Sequence, residues 1–555
     1  MASRVRRSPG SAIRAMLLLV VVSTVFAGCG SAPGGGRPPG NVFRLPSRTD
    51  MQSLDPAIAY DVTAWPLVRL MYQGLLDYGD GSDLVPWLAE SLPTRSPDGR
   101  AYTFRIRRGI RFASGRDVRA SDFAYTLERI LDPKSKSPGE GFFRGIEGAR
   151  AFQKAREREA EEKLPRRSLE PKHVSGLRAP DDHTFEIHLV EPDESFLKVM
   201  SLPFSYVVEP EAAERWGEEL SRHPAGCGPF VLTEWRRGLR IRFDRSPNYS
   251  QPDRPKLDGV EVLIGIDDLV AQMMFERGEL DLITEIAPPD LVRLRNHPRW
   301  KQCILSEPAA STQYLSMNTE VPPFNDVRVR RAVNHALDRE RLLRVINGRG
   351  AVATTILPPT MAEYRPRNDY PHDEARAKAL LAEAGYPNGF KVSLWVIVDR
   401  AEHVKMAEAI QQDLGKVGIQ VELKTLAFAV WDSAVSKRKN VPFAFAGWYQ
   451  DYPDPSNFMD VLLRGDRIVA QNSNNYAFYS NPRVDAVLRQ ALKEPVAAKR
   501  SRLYQDAEDL VMADAPWAPL FHPTTYMLVR EWVRGFKLHS VWHGRFERVS
   551  LEGSR

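Results

Sequence analysis

The chain has 555 residues, of which 43% are hydrophobic and 27% charged, with a formal net charge of +6. This length exceeds what one ordinary hydrophobic core organises, so two or three domains are expected. The composition is that of a globular protein and excludes a chain that is disordered throughout.

The N-terminus predicts export and lipid attachment. Four arginines precede an apolar run of about a dozen residues, which is short of the roughly 20 needed to span a bilayer. Ala27, Gly28 and Cys29 resemble a bacterial lipobox, although Phe26 stands where leucine is commonest. We therefore predict a signal peptide over 1–28, cleavage before Cys29, and acyl chains on Cys29 that hold a soluble body on the membrane. Ordinary secretion with an incidental Cys29 is the alternative.

A flexible linker is predicted to follow the lipidated cysteine. Residues 29–40 are rich in glycine, which gives slack, and in proline, which blocks regular structure. Gly30 stands where an aspartate is associated with retention in the inner membrane, so the outer membrane stays open as the location in a Gram-negative host. Folded structure is expected from residue 41 onward.

The first folded stretch predicts a helix and an arginine-rich hairpin. Residues 66–76 place four apolar side chains on one helical face. Residues 102–112 alternate apolar side chains with arginines, as a half-buried strand does. A basic patch for nucleic acid or an anionic membrane is the alternative, but a solvated hairpin face explains the alternation better. A helix starting near Ser121 should follow.

The stretch over 147–172 is dense in mixed charge and poor in core residues. We therefore predict a solvent-facing helical insertion with many Glu/Arg neighbours at helical spacing. No apolar heptad repeats in it, which excludes a coiled coil. A β-rich region follows, with alternating strands over 183–190 and 239–245 and a third strand that leads out of a loop within 226–235.

The last large block predicts helices and a βαβ unit. One helix is expected over 325–347, ended by Gly348, and another within 372–389, stopped by Gly385 and Pro387. Residues 391–398 predict a strand, which an amphipathic helix connects to a second strand over 419–426. Because the links are short, these two strands should be parallel and the crossover right-handed.

The segment FAFAGWYQDYPDPSNF, residues 443–458, holds the candidate binding residue. Residues 443–446 form an uncharged apolar run typical of a buried strand, which Gly447 breaks and two following prolines prevent from continuing. Asp451 therefore lies at a strand end among aromatic residues, where a carboxylate can seat an ammonium group by charge-assisted hydrogen bonds and cation–π attraction. Local sequence alone favours another interpretation, in which Asp451 caps the turn.

No catalytic or metal motif stands out, so we do not predict an enzyme. The sequence contains no G-x-S-x-G elbow, H-E-x-x-H helix or Walker A loop. His539 and His543 have the spacing of metal ligands on a helix, but their surroundings predict strand or loop, so neither a metal nor a cofactor is expected. Cys227 and Cys303 either form one disulfide or stay two free thiols, and both possibilities stay open.

Six segments, in order, resemble the extracytoplasmic solute-binding proteins of family 5, which serve ABC importers of peptides and, in some branches, nickel. They cover nearly all of the chain after the linker: 53–65, 85–115, 226–249, 322–340, 374–390 and 447–455. The resemblance implies an α/β, two-lobed periplasmic-binding-protein-like fold (type II, cluster C) with an extra domain on the first lobe.

The resemblance also implies a discontinuous domain map. Domain I takes residues 41–85, 224–313 and 523–555. Domain II takes 86–223, and its charged insertion departs from the shorter connection that the family predicts there. Domain III takes 314–522.

In peptide-binding members of this family, the ligand lies extended between the lobes and adds to strand edges on both sides. Backbone hydrogen bonds then give affinity without reading side chains, while wet pockets accept varied residues. By position in the matching motifs, the residues that would supply the two edges are Tyr60, Asp61, Val62, Gly447, Trp448 and Tyr449.

The resemblance assigns the two ends of the ligand to different residues. Asp451 matches the carboxylate that grips the peptide's α-ammonium group, which reverses the local preference for a turn cap. Arg400 resembles the arginine that dipeptide binders use for the ligand's carboxylate. A plain surface arginine at a helix start is the alternative for Arg400.

The implied function is capture and not catalysis: a monomeric receptor binds di- or oligopeptides and delivers them to the permease and ATPases of an ABC importer. The lipid anchor contacts the membrane, and no nucleic acid is involved. The alternatives are a nickel chelate, an oligosaccharide or an opine on the same scaffold, or a lipoprotein that senses peptides, acts as a chaperone or hydrolyses a substrate. Asp451 argues against sugars and metal chelates, since neither presents an ammonium group.

Overall fold

The computed structural model describes residues 40–61, 63–539, 541–542 and 544–553. The predicted signal peptide, the lipidated Cys29, most of the linker, Val62 and His543 therefore lie outside the described residues. No helix in the described ranges has the length and apolar character needed to cross a membrane.

Strands occur along the whole described part of the chain. They are β1 (Val42–Ser47), β2 (Leu76–Tyr78), β3 (Leu84–Pro86), β4 (Thr94–Arg95), β5 (Ala101–Arg105), β6 (Leu177–Asp181), β7 (Thr184–His188), β8 (Phe230–Arg236), β9 (Arg240–Arg245), β10 (Gly259–Ile264), β11 (Leu282–Ile283), β12 (Ile304–Pro308), β13 (Ser311–Met317), β14 (Gly350–Val352), β15 (Lys391–Ile397), β16 (Gln420–Leu426), β17 (Phe443–Tyr449), β18 (Trp517–Val529), β19 (Val533–Arg534) and β20 (Ser550–Leu551).

Helices alternate with these strands, most densely after residue 320. They are α1 (Ala64–Met71), α2 (Ala120–Leu131), α3 (Glu140–Phe143), α4 (Ala149–Glu161), α5 (Phe196–Val199), α6 (Pro210–Trp216), α7 (Asp268–Arg277), α8 (Pro288–Asn296), α9 (Val327–Ala336), α10 (Arg339–Val345), α11 (Glu374–Glu383), α12 (Ala401–Lys416), α13 (Phe428–Val435), α14 (Ser456–Leu463), α15 (Pro482–Lys493) and α16 (Ala497–Asp514).

Two lobes form around separate cores. The first lobe, residues 40–308 and 526–553, contains a sheet in the order β1-β10-β9-β8 and another in the order β4-β5-β7-β6. The second lobe, residues 311–522, contains most of an eight-stranded sheet in the order β11-β18-β13-β17-β15-β16. The lobes are joined at two places: the short link from β12 to β13, and the long strand β18, which pairs with β13 at one end and with β12 at the other.

The strand predictions hold where alternation is strong. β15 and β16 pair in parallel through all seven residues, with α12 between them, as the βαβ pattern predicts. The arginine-rich stretch is a strand only in its first part, β5, whose Tyr102 and Phe104 are buried while Arg105 is exposed; residues 107–112 do not continue the strand. The discontinuous domain boundaries stay a prediction.

Two helix predictions are wrong in their bounds. The periodic run over 325–347 is two helices, because the Asp338 side chain accepts a hydrogen bond from the backbone N–H of Arg341 (2.9 Å) and starts α10 anew. The helix predicted over 66–76 ends at Met71, where the next residue, Tyr72, turns to an extended backbone.

The charged insertion is helical but not wholly solvent-facing. One face of α4 is buried, including Phe152, which joins the core of the first lobe. On the same face Arg156 and Glu159 form a buried ion pair at 3.0 Å. The high charge of this stretch therefore includes side chains that hold the helix against the lobe.

The two cysteines that the structure describes are free. Cys227 lies in the core of the first lobe, and Cys303 lies in a separate cluster around Phe275 and Trp300. Burial raises the pKa of the Cys227 thiol to about 12, so this side chain is a packed apolar group and not a reactive thiolate.

Candidate functional site

Asp451 lies just beyond the end of β17, with 7% of its surface exposed. Both of its carboxylate oxygens accept hydrogen bonds from neutral side chains. Tyr60 Oη donates to Oδ1 at 3.1 Å, and Asn457 Nδ2 donates to Oδ2 at 3.0 Å. No cationic side chain in the described ranges forms an ion pair with Asp451, so its charge has no protein partner.

The turn after Asp451 is held by other residues. Asp454 Oδ1 accepts from the backbone N–H of Ser456 (3.0 Å), which starts α14. Asn457 Oδ1 accepts from the backbone N–H of Asp451 and from Trp448 Nε1, both at 2.9 Å. The carboxylate of Asp451 is therefore not used as the cap that local sequence suggested.

Burial makes Asp451 a weaker acid than an ordinary aspartate. Desolvation raises its pKa from the ordinary 3.8 to about 6, although the hydrogen bonds from Asn457 and Tyr60 act in the opposite direction. A carboxylate held by neutral donors and lacking a countercharge is stabilised by any cation that reaches it. The local chemistry therefore suits a positively charged group on a ligand.

Tyr60 brings the first lobe to this carboxylate. Its ring keeps 38% of its surface exposed and packs against Trp65, Phe142 and Phe204, with ring centroids 5.7, 6.4 and 5.4 Å away. The neighbouring wall of the site is thus aromatic. The resemblance suggested a backbone role for Tyr60, and its hydroxyl contact adds a side-chain role that the sequence did not indicate.

Asp61 is engaged within its own turn. Its Oδ1 accepts from the backbone N–H groups of Thr63 (2.9 Å) and Ala64 (2.6 Å), and its carbonyl oxygen accepts from Trp65 (3.2 Å). These bonds set the start of α1 and fix the position of the segment that ends at Tyr60. The expected contribution of this segment to a ligand strand stays a prediction.

The second lobe offers an open strand edge beside Asp451. Contrary to the sequence prediction, β17 does not stop at Gly447 but pairs with β13 as far as Tyr449. On its other side, the described ladder with β15 has one pair, Trp395 with Ala444. The backbone of residues 447–449 is therefore unpaired on the side away from β13, which is the geometry that strand addition needs.

Gly447 is required by its neighbour across the ladder. A Cβ built on it would lie 2.2 Å from Oε1 of Gln313, whose side chain is buried. Gly447 therefore makes room for the side chain of Gln313 in β13, because it has no side chain of its own. This explains a glycine inside a strand better than a break does.

Arg400 lies at the start of α12 in the second lobe and is exposed. Its guanidinium makes no hydrogen bond or ion pair with the described residues, but it is close enough to act on its surroundings. Burial and then the charge of Arg400 lower the pKa of His403 to about 3. The same charge favours the ionised form of Tyr449, whose pKa burial raises. Arg400 thus lies near β17, and its charge also acts on Glu285 without an ion pair between them.

A buried ion pair joins the lobes next to the site. Asp454 is fully buried, and its carboxylate contacts Lys198 Nζ of the first lobe (2.8 Å) and Arg500 Nη2 of the second lobe (2.7 Å). Burial acts to raise the pKa of Asp454, but the two cations hold it well below its usual range. Tyr452 crosses the same boundary, since its buried ring packs in the first-lobe core beside Phe142.

Sequence reasoning found Asp451 but missed the residues that hold it. Asn457 makes three of the hydrogen bonds around Asp451, and Asp454, Lys198 and Arg500 form the nearby junction between the lobes. The signal for Asn457 was its place two residues after the second of the two prolines. Lys198 and Arg500 are far from Asp454 in sequence, and no local pattern points to them.

The paired histidines His539 and His543 have the spacing of metal ligands in the sequence, and His543 lies outside the described residues. Among the residues that the structure describes, no group of three or more His, Cys, Asp or Glu side chains is arranged to hold a metal ion. His539 has a structural role, because its Nε2 lies 2.9 Å from the carbonyl of Gly79 and its Nδ1 lies 3.1 Å from the backbone nitrogens of Val541 and Trp542.

Comparison with known proteins gives this architecture a family. The profile of the bacterial extracellular solute-binding proteins, family 5 (middle region), matches residues 83–469, which is more than half of the chain. The chain belongs to this family. As a family 5 protein it has the two-lobed fold and is a solute-binding protein of the kind that serves ABC importers.

Curated relatives align along most of the family 5 chain. Heme-binding protein A of Haemophilus influenzae is 28% identical over 569 residues, covering 98% of this chain and all of the relative. The glutathione-binding protein of Escherichia coli K12 is 29% identical over 477 residues, covering 85% of this chain and 87% of the relative.

Solved structures share the fold over nearly the whole length. A clavulanic acid biosynthesis oligopeptide binding protein aligns with a TM-score of 0.83 at 25% identity, covering 93% of this chain and 96% of that one. The periplasmic binding protein DppA of Helicobacter pylori, in complex with the peptide STSA, aligns with a TM-score of 0.78 at 27% identity, covering 93% and 98%. The two-lobed α/β prediction is confirmed.

Proposed function

We propose that this family 5 protein captures peptides between its lobes and that Asp451 seats the peptide's α-ammonium group. The observation that carries the proposal is a buried carboxylate, held by neutral donors from both lobes, that has no cationic partner in the described ranges. An ammonium group would supply both the missing charge and hydrogen-bond donors. Peptide binding by similar proteins supports the same ligand class.

The remainder of the ligand would run along the open edge of β17. The backbone of Gly447, Trp448 and Tyr449 would hydrogen-bond the peptide backbone, with Tyr60 and its neighbours closing over it from the first lobe. Arg400, whose guanidinium makes no ion pair with a described residue, would take the ligand's carboxylate. The glutathione-binding relative fits this scheme, because glutathione is a tripeptide with a free α-ammonium group.

Export and membrane attachment complete the proposed role. The signal peptide over 1–28 would be removed, and acyl chains on Cys29 would keep the monomeric receptor on the outer face of a membrane. Two or more acyl chains hold a protein stably at a bilayer, at about 0.8 kcal/mol per buried CH₂. From there the receptor would pass peptides to the permease of an ABC importer.

The test is calorimetry with a paired change on protein and ligand. Replacing Asp451→Asn should weaken binding of an unblocked peptide at least tenfold, or about 1.4 kcal/mol. N-acetylation of the peptide should weaken binding to the wild type by a similar factor and to Asp451→Asn much less. Asp117→Asn, an exposed change on the first lobe, is the matched control and should bind as the wild type does.

The ligand class itself is tested by native mass spectrometry of the purified protein. A retained peptide, identified by fragmentation, is the expected result. Equal affinity of the wild type and Asp451→Asn for unblocked peptides would contradict the assignment of the ammonium seat. A retained sugar, porphyrin or metal chelate would contradict peptide capture.

A further inference from the structure

A cavity lies in the first lobe, apart from the site around Asp451. It measures about 360 Å³ and is bounded by the loop after β5 (residues 107–110), the segment 85–88, the loop residues Ser250 and Gln251, and the C-terminal segment around Arg545. None of its lining residues belongs to the second lobe, and neither Tyr60 nor Asp451 lines it. The cavity therefore shares no lining residue with the proposed peptide site.

The lining of this cavity is strongly cationic. Its lining contains one acidic residue, Asp77, and four arginines: Arg107, Arg108, Arg545 and Arg548. The carboxylate of Asp77 is already saturated: Arg69 contacts both oxygens at 3.1 and 3.0 Å, and Trp542 Nε1 donates to Oδ1 at 2.8 Å. Asp77 also pairs with Arg545 (3.2 Å) and forms no ion pair with Arg107, Arg108 or Arg548.

Arg545 is the buried member of this set. Its side chain is 6% exposed, and one guanidinium nitrogen donates to Asp77 and to the carbonyl of Tyr78. Its Nε is buried and has no hydrogen-bond partner among the described residues. Burial lowers the pKa of Arg545, as expected when neighbouring acids compensate its charge incompletely.

Two further arginines have charges without acidic partners. Arg107 Nε donates to the carbonyl of Ala89 (2.9 Å) but forms no ion pair with a described residue. Arg108 is exposed and makes neither a hydrogen bond nor an ion pair in the described ranges. Both lie in the loop that follows β5 and line the cavity.

The nearby acids leave this excess of positive charge in place. Asp80 is shared between Lys537 (2.7 Å) and Arg548, the fourth lining arginine (3.0 Å). Glu547 acts on Arg545 only at a distance and forms no ion pair with it. After these pairings, Arg107 and Arg108 have no acidic partner and the Nε of Arg545 has no hydrogen-bond partner among the described residues.

We propose that this cavity binds a small organic anion that carries carboxylate or phosphate groups. Guanidinium forks match the geometry of both groups through paired N–H donors. The volume falls in the range of about 300–1,000 Å³ typical of small-molecule sites, which leaves room for a carbon body beside the anionic group. Val85, Pro86 and Trp87 line the cavity and supply apolar surface for that body.

The experiment titrates the full-length protein with two probes, citrate for carboxylates and glucose 6-phosphate for phosphates. At least one probe should bind in calorimetry and raise the melting temperature above that in KCl of matched ionic strength. The double variant Arg107→Ala/Arg108→Ala should weaken that binding at least tenfold. Arg150→Ala is the matched control, because Arg150 is an exposed arginine of the same lobe outside the cavity.

Three results separate this site from its alternatives. If neither probe binds beyond the effect of matched KCl, the cavity is only a solvated basic surface and the proposal is overturned. An equal loss in Arg150→Ala would also overturn it, since nonspecific attraction would then explain the signal. Asp451→Asn should leave anion binding unchanged, so that a failure of the peptide site and a failure of the anion site are distinguishable.

Discussion

The buried carboxylate of Asp451 is hydrogen-bonded to two neutral side chains and to no cationic one among the described residues. Asn457 and Tyr60 orient its carboxylate but supply no countercharge. Above pH 6 the free protein therefore bears the cost of an ionised buried acid, roughly 3 kcal/mol at 1.36 kcal/mol per pKa unit. A ligand ammonium group would remove much of this cost, so binding and ionisation of Asp451 should be coupled.

We predict that affinity for an unblocked peptide falls about tenfold between pH 7 and pH 5. The pKa of Asp451 is about 6 in the free protein, so about nine-tenths of the carboxylates are ionised at pH 7 and about one-tenth at pH 5. Since an ammonium group favours the ionised form, binding at pH 5 requires loss of a proton. Calorimetry at the two pH values, in buffers of different ionisation enthalpy, measures both the affinity and the proton released.

Asp451→Asn is the control for this pH profile, because it removes the titrating group. The nearby Asp460, whose pKa burial raises to about 7 beside Arg464, titrates in the same range in both proteins. The profile of Asp451→Asn should therefore be nearly flat apart from any contribution of Asp460. A tenfold fall that persists in Asp451→Asn would show that another group controls binding.

Among the elements, β17 shows both what its sequence predicts correctly, a buried strand, and what it predicts wrongly, the end of that strand. Its apolar start predicts a buried strand correctly, but Gly447 was interpreted as the end of the strand. The glycine instead admits the side chain of Gln313 from β13, which is a long-range contact. The split of the 325–347 helix has a different cause, because Asp338 caps α10 through a local bond to Arg341 inside an uninterrupted apolar period. Apolar periodicity therefore missed a local capping signal in one element and a tertiary contact in the other.

We predict that Gly447→Ala destabilises the second lobe by about 1–3 kcal/mol, the usual cost of overpacking a filled core. The added Cβ would lie 2.2 Å from Gln313 Oε1, and the buried glutamine has little room to move. Chemical denaturation measures the change. Because the shifted strand also carries the open edge, peptide affinity should fall in the same variant.

Gly415→Ala is the matched control for this substitution. Gly415 lies inside α12, and no atom lies within 4 Å of a Cβ built on it. Alanine should stabilise this helix by up to about 1 kcal/mol, because glycine is the weaker helix former. If Gly447→Ala is as stable as the wild type, Gln313 moves freely and the steric explanation fails.

At the scale of the whole molecule, the relation between the lobes is what the sequence could not give. The family resemblance predicts two lobes, and the comparison with solved structures confirms them. The contacts across the cleft join residues hundreds of positions apart, as in Tyr60 with Asp451 and Lys198 with Asp454. No single-sequence pattern links such partners, so Asp451 could be singled out as a candidate while its contacts across the cleft could not be predicted.

The pair of Lys198 with Asp454 links the two lobes by a buried contact between opposite charges. Asp454 is fully buried and stays charged because Lys198 and Arg500 both contact it. Opening the cleft separates Asp454 from Lys198 but not from Arg500, which lies on its own lobe. The closed state is therefore stabilised by one buried contact that the open state lacks.

We predict that Lys198→Met shifts the protein toward the open state by about 2 kcal/mol, a change of roughly 30-fold in the equilibrium. This is the lower end of the ~2–5 kcal/mol for breaking a buried charged pair, because Lys198 is 27% exposed and Arg500 still neutralises Asp454. Small-angle scattering with and without peptide should show a larger ligand-free radius of gyration and a higher peptide concentration needed for compaction.

Lys493→Met is the control for this prediction. The pair of Lys493 with Glu191 also crosses the cleft but is exposed at both ends, so its loss should change the free energy of closure by less than about 1 kcal/mol. Equal effects of the two variants would mean that net charge, and not the buried contact at Asp454, governs closure.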